Sequence, residues 1–510
     1  MAAYLSGRAE LTCAWKQKAQ VAKVAAQINH HKFVYLLTIS PLPSLPSEDV
    51  VSKLNAFITA ALKIYTSSLS LGHSLLPTDT QYGDDAALLS VMGLVRLSLL
   101  SSPISTIPLY QATTILSTLL LKSKHNYQAL LLLIRIYLLL GAIPLAVAVY
   151  PRLSVKQIQN DTLAHFLLTR ISTLLPTEPA VEGLLKEAAK IYESSRAQTP
   201  GMLVLAYERG GYAQMMGFLE FSNRVSGSVC RAMWEVELRQ VSRLRPSSGG
   251  AARAKESELM KNEDGNIWDN RDFGVVISCE RSGKPRFEES FRVGQTPGEH
   301  WAKGFSAVER LVAHYASASL DNAVPQETIE ILTRTLKDGA NTSEFTSAEI
   351  SYLTAVHLLA TATLTSKDAD ATKSALSSIA SSLPSPPSAT TLVWEFLHSA
   401  NLTLDLCAII SSYFIPHLTN SNKRLGTSTS QLVSAASDLK QKTIAATSLL
   451  AKEISEEEGT ESEQDLIDGV LGLDDVGKEL REWGVETVIE GVRNVRAAIA
   501  VALGVVGKGK

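Results

Sequence analysis

The stretch from Asn126 to Asp161, NYQALLLLIRIYLLLGAIPLAVAVYPRLSVKQIQND, constrains the fold more than any other part of the chain. An apolar run from Ala129 to Leu140 meets Gly141, then Pro144, then a second apolar run ending at Tyr150. Glycine accepts the left-handed conformation that closes a helix, and proline fits the opening turn of the next one. Tyr137, Gly141, Ala146 and Tyr150 then stand where a helical hairpin needs an aromatic, a turn, a small residue and a second aromatic. Ala146 lets the two helices approach, and the tyrosines fill the space between them. One hairpin cannot bury its apolar faces alone, so the spacing predicts neighbours stacked against it.

These four positions are similar to the signature of a tetratricopeptide repeat. With 510 residues, 45% of them apolar and only 19% charged, the chain is expected to be all-α, a tetratricopeptide-like alpha-alpha superhelix with an irregular central insert. A net charge of −3 gives no general attraction to nucleic acid or acidic lipid, so no DNA partner is expected. Cys13, Cys230, Cys279 and Cys407 lie far apart with no Cys-x-x-Cys pair, the pattern of thiols in a reducing compartment. The first residues carry no apolar core of signal-peptide length, and a cytoplasmic protein is the expectation. Ala129 to Tyr150 is long enough to cross a bilayer. Arg135 inside it and the break at Gly141 and Pro144 favour a buried hairpin instead, and no membrane association is expected.

Three regions are expected along the chain: helical repeats over 1–245, a loop insert over 246–304, and further helices over 305–510. In the first, the DTQYGDD turn (Asp79 to Asp85) should lend N-cap carboxylates to a helix from about Ala86 to Leu100. A helix is expected around Asp161 to Leu175. The stripe Val181, Leu184, Leu185, Ala188, Ile191 and Tyr192 marks an amphipathic helix that Thr199, Pro200 and Gly201 should stop. A further pair should run from Met202 to about Leu244, broken at Gly210 and Gly211. PSSGGAARAKES (Pro246 to Ser257) reads as a loop, and Asn262 to Gly304 lacks helical period. Val275, Val276 and Ile277 there form a short strand or pack extended against helices. Beyond it, Thr346 and Glu349 have capping-box spacing. Ser381 to Thr391 reads as a Pro/Ser hinge and Glu456 to Asp465 as a solvated acidic loop.

No catalytic or metal-binding constellation emerges. The pyrophosphate-binding turn of GNAT-fold acetyltransferases, Arg/Gln-x-x-Gly-x-Gly/Ala, has near misses only. Gln214 to Gly217 is followed by Phe218 and Leu219, and Arg271 to Gly274 by Val275 and Val276, so the final small residue is missing. Gly507 and Lys508 resemble a P-loop end, but Gly509 replaces its Ser or Thr. The ten histidines are dispersed. Adjacent His30 and His31 would point about 100° apart on a helix, which is poor for a shared metal.

Three blocks carry a resemblance to a known family: Leu130 to Arg170; YERGGYAQMMGFLEFSNRVSGSV, Tyr207 to Val229; and the run Asp269 to Phe273. With the DTQYGDD turn, and in this order and spacing, they resemble the non-catalytic, auxiliary subunit of the N-terminal acetyltransferase B complex, NatB, over about Gln81 to Phe273. The resemblance implies a right-handed helical superhelix that holds a small GNAT-fold catalytic subunit. It implies acetylation of nascent chains starting Met-Asp, Met-Glu, Met-Asn or Met-Gln, at the ribosome, with acetyl-CoA bound by the catalytic partner and no chemistry on this polypeptide. Family members carry further repeats before the region where this chain begins, implying a truncated reading of a longer gene or weaker partner binding. A generic tetratricopeptide-type adaptor is the alternative function. Within the third block, Asp269, Asn270, Arg271 and Asp272 read in two ways. They form a turn capping a neighbouring helix with Arg271 paired locally, or they organise the face presented to the catalytic subunit.

Overall fold

The computed structural model describes residues 2–101, 104–245, 267–316, 326–339, 343–364, 392–421, 426–456, 461–472 and 475–507, with the isolated positions 374, 377 and 380. Among them, helices run over Ala2–Val34 (α1), Glu48–Ser68 (α2), Asp84–Leu99 (α3), Ile107–Lys122 (α4), Tyr127–Leu140 (α5) and Ile143–Val149 (α6). Next come Pro179–Glu208 (α7), Tyr212–Ser226 (α8), Val229–Leu244 (α9), Glu299–Ala316 (α10), Gln326–Gly339 (α11) and Ser347–Leu364 (α12). Val393–Ala408 (α13), Gly426–Glu456 (α14), Glu461–Leu471 (α15), Asp475–Glu482 (α16) and Val485–Gly507 (α17) follow. No strand forms among the described residues, where the one isolated bridge pairs Ser228 with Trp268. The loop expected over 246–257, residues 262–266 of the insert, the hinge over 381–391 and Lys508 lie outside the described residues.

Two compact units divide the chain: Met1–Ser154, Phe273–Arg292 and Ile454–Ala498 form unit 1, and Val155–Asp272, Val293–Glu453 and Ile499–Lys510 form unit 2. In unit 1, Ser47 caps α2 by accepting from the Val50 amide at 3.3 Å. Helices α2 and α3 cross so closely that a Cβ on Gly93 would stand 2.6 Å from Ile58 Cγ1. The expected N-cap role of the DTQYGDD carboxylates is corrected. Helix α3 starts at Asp84, after Gly83, and no side chain caps it. The buried Asp84 carboxylate instead accepts from Asn126 Nδ2 at 3.0 Å, and Asn126 Oδ1 caps α5 through the Ala129 amide at 3.2 Å.

Every residue of α5 from Ala129 to Leu140 is buried, which explains its membrane-like composition. Arg135 within it faces the buried Glu288 at 3.5 Å. No helix among the described residues is long and apolar enough to cross a membrane. The segment Phe273–Arg292 forms turns and one helical turn, Phe287–Ser290, and Gln128 of α5 donates to Val275 O at 2.6 Å and accepts from the Ile277 amide at 2.9 Å, as a strand neighbour would. Glu280 in the same segment accepts from the Tyr35 and Ser40 hydroxyls, each at 2.6 Å. The C-terminal helices return to the early ones, where Gln111 of α4 donates to Val470 O at 3.0 Å and Tyr65 meets Trp483 edge-on. Glu461 to Asp465 correct the expected acidic loop: they open α15, and Glu463 is buried against Arg493 Nε at 2.9 Å.

Unit 2 is built around buried charge. The single helix expected near Asp161 to Leu175 is three separate turns, Gln159–Thr162, His165–Leu168 and Ile171–Leu174. Arg170 interrupts it with φ +61°, and the Arg170 and Ser172 amides donate to the two oxygens of Glu237 at 2.9 and 2.7 Å. The Arg170 guanidinium grips Glu349 in bidentate fashion at 2.9 and 3.0 Å and donates to Gln295 O at 2.6 Å. Glu349 also accepts from Trp301 Nε1 at 2.9 Å and from the Thr346 amide at 2.7 Å, closing a capping box with Thr346. A second arginine, Arg243, bridges Glu309 and Asp405 with four bonds of 2.6 to 3.0 Å.

Candidate functional site: an exposed helical hairpin on a buried anchor

Pro200 does not stop its helix. Helix α7 runs through it to Glu208, turns at Gly210 with φ +70°, and α8 returns antiparallel beside it. The exposed Pro200 costs a backbone bond, and packing on α8 holds the last turns in line. The result is a projecting hairpin. From Thr199 to Arg224, Ala206 alone is classed as buried. Met202, Val204, Leu205, Tyr207, Tyr212, Met216, Leu219 and Phe221 are exposed on it, with Tyr207 and Met216 at 64% and 70%. Tyr207 and Tyr212 meet edge-on at 5.8 Å. So many large apolar groups on one hairpin exceed the scattered exposure expected of a solvated surface, and they mark a surface made to be covered.

The base of the hairpin is polar and fixed. Asp161, fully buried, accepts from Tyr192 of α7 at 2.8 Å and from Ser228 at 2.5 Å, while Asn270 Nδ2 reaches its other oxygen at 2.9 Å. Burial raises the Asp161 carboxyl above its ordinary range, and those three donors pull it back. Ser228 also caps α9 through the Cys230 amide at 3.1 Å. Asn270 Nδ2 donates to Arg224 O at 3.0 Å, and the Arg224 guanidinium lies over the Trp268 ring. Arg271 is turned inward, with Nε and Nη2 on the Asp269 carboxylate at 2.8 and 2.7 Å and Nη2 on Pro297 O at 2.7 Å. Asp269 and Asp272 stay exposed, the Asp272 amide donating to Thr162 O at 2.9 Å.

The sequence-predicted residues thus fall in two places. Tyr137, Gly141, Ala146 and Tyr150 lie buried in the α5–α6 hairpin of unit 1, with Gly141 at φ +81°. Asp269 to Asp272 lie in unit 2, beneath the α7–α8 hairpin. Sequence reasoning missed Asp161 and Ser228, whose roles depend on long-range partners, and it missed the apolar hairpin surface. The signal there was a density of Met, Tyr, Leu and Phe from Met202 to Phe221 that follows no single stripe. Neither near-miss phosphate turn is placed for that chemistry. Gly217 is inside α8, beyond the first-turn amides that a helix leaves open, and Arg271 is buried. Among the described residues no group of His, Cys, Asp or Glu could hold a metal.

The model of the family described as N-acetyltransferase B complex (NatB) non catalytic subunit matches residues 7–273, half of the chain, including the hairpin and its base. The NatB complex subunit arm1 of Schizosaccharomyces pombe is 32% identical over 290 residues, 56% of this chain and 34% of that protein. The human N-alpha-acetyltransferase 25, NatB auxiliary subunit, is 30% identical over 256 residues, 49% of this chain and 26% of its own length. The chain therefore spans only about a quarter to a third of these relatives. A solved NatB acetyltransferase complex bound to a bisubstrate inhibitor contains a chain of the same fold, with a TM-score of 0.59 at 14% identity. That likeness covers 87% of this chain and 59% of the other.

Proposed function

Because the chain belongs to the family of non-catalytic NatB subunits, we propose that it is a scaffold holding a GNAT-fold catalytic subunit through the α7–α8 hairpin. The observation that carries this reading is the hairpin itself: exposed aromatic and Met side chains, inside the family-matched stretch, on a base fixed by Asp161. Interface cores are enriched in Tyr, Phe and Met, and such anchors work best when their backbone is already ordered. The scaffold itself performs no chemistry. Acetyl-CoA is bound by the catalytic partner, and the complex acetylates nascent chains starting Met-Asp, Met-Glu, Met-Asn or Met-Gln in the cytoplasm, beside the ribosome. Asp269 and Asp272 stand exposed in the turn at its base, and Arg271 holds that turn in place.

The test is co-purification of this chain with the NatB-type GNAT enzyme of the same organism. Tyr207→Glu with Met216→Glu puts two carboxylates on the exposed face without touching the core. The expected result is loss of the enzyme from the pull-down by tenfold or more, roughly 1.4 kcal/mol, with the melting curve unchanged. Undiminished recovery by the double variant overturns the hairpin as the docking surface.

A further inference from the structure

From Ala86 to Asn160 the chain carries no Asp or Glu, and the same holds from Leu11 to Ser47. The overall charge of −3 hides this segregation. The fold of unit 1 gathers five cations of these stretches along one edge, where successive helices turn. Gln17 of α1 donates to Leu71 O and Ser74 Oγ, each at 3.2 Å, in the turn between α2 and α3. Gln81, at the end of that turn, gives its amide to Ser123 Oγ at 3.0 Å in the turn between α4 and α5. Arg152, after α6, gives Nη2 to Lys124 O at 3.1 Å. Lys16 and Lys18, flanking Gln17, thus share a rim with Lys122, Lys124 and Arg152, and all five are exposed. None of the five forms an ion pair among the described residues. Elsewhere exposed lysines are matched one turn away, as Lys53 is with Asp49, Lys186 with Glu182 and Lys303 with Glu299. Asp79, in the turn between α2 and α3, holds the Leu76 amide at 3.2 Å and pairs with none of the five. Such unmatched like charge is a standing repulsion, and a polyanion relieves it while releasing its own counterions.

We propose that this rim binds RNA through its phosphates, without regard to sequence. Neighbouring helices pack about 8–10 Å apart, so cations at successive helix ends form a line rather than a pocket. A line of lysine point charges suits a repeating phosphate backbone, whereas a carboxylate is gripped best by the open fork of an arginine. Arg152, the one arginine among the five, already has an arm of its fork on Lys124 O. Tyr127 opens α5 beside the lysine turn, is 55% exposed, and offers a ring face on which an unpaired base can stack. This rim belongs to unit 1 and the docking hairpin to unit 2, so the two readings stand or fall separately.

The experiment measures the affinity of the full chain for a fluorescent oligouridylate across a series of KCl concentrations. Phosphate contacts from all five cations predict a slope of about −3.5 for log affinity against log salt on a single strand. Lys122→Ala with Lys124→Ala should weaken binding about tenfold at low salt and flatten the slope by about 1.4, with melting unchanged. Tyr127→Ala should weaken binding about fivefold. Lys186→Ala with Lys190→Ala removes two surface cations of unit 2 that are paired with Glu182 and Glu187, and should change nothing. Oligoglutamate of the same length stands in for an acidic protein partner and should bind about tenfold more weakly than the RNA. The proposal is overturned if the unaltered chain binds no RNA, or if the two lysine pairs lose affinity equally. Undiminished binding by Tyr127→Ala, or equal affinity for oligoglutamate, overturns it as well.

Discussion

Arg170 stands in one of the blocks that carry the family resemblance, yet nothing in its neighbours along the chain marks it as the centre of a buried network. Its guanidinium answers Glu349, 179 positions away, and its backbone answers Glu237, 67 positions away. Glu349 was legible by half: its spacing from Thr346 predicted a capping box, which forms, while the bidentate grip on Arg170 depends on the fold. Glu349→Ala should leave an uncompensated buried guanidinium and cost about 3–5 kcal/mol, read by chemical denaturation. Titration tests the same network. Burial lowers His398 from 6.5 to about 4, against the pull of Glu349, so it is neutral in the folded chain. A depressed folded value means that stability is fully present above pH 6.5 and is lost as pH falls toward 4, at up to about 1.4 kcal/mol per pH unit. Glu237 acts oppositely, since burial pushes it up to about 7 and its ionisation weakens the fold between pH 4.5 and 7. The contrast is therefore between the native chain and His398→Gln, and stability of the native chain should fall more steeply on acidification below pH 6.5. Parallel pH profiles for the two would contradict a neutral buried His398.

Among the elements, α5 and α6 followed their local signals closely because glycine, proline and two tyrosines impose their geometry over a few residues. Gly141→Val places a β-branched residue at φ +81° and should cost about 2 kcal/mol, lowering the thermal midpoint. An unchanged midpoint would contradict the turn. Helix α7 shows where local signals mislead. Thr199, Pro200 and Gly201 are stop signals, but an exposed proline removes one helical bond while packing against α8 acts along the whole element. The stretch Asp161 to Leu175 errs in the opposite sense: its composition allows one helix, and capture of two amides by Glu237 breaks it. Arg271 belongs at this scale as well, because it ties the turn beneath the hairpin to Pro297. Arg271→Ala should cost about 1–3 kcal/mol, with binding of the proposed catalytic partner reduced only in proportion. Unchanged melting with weakened binding would make Arg271 a contact residue instead.

For the whole molecule, the all-α class was readable from composition and period, whereas the membership of the two units was not. Unit 1 takes its third stretch from Ile454–Ala498, 300 positions after Ser154, and no periodicity announces that α15 will offer Val470 to Gln111 of α4. That spacing also sets a clock. At a synthesis rate of about 5–20 residues per second, the helices before Ser154 wait roughly 15–60 s for the stretch that completes their unit. Through that interval Gln111 lacks its acceptor, and Tyr65 and Ile107 lack Trp483 and Gly469. Apolar side chains thus stay uncovered for far longer than helix formation or collapse requires. The chain is thus, while being made, in prolonged need of protection.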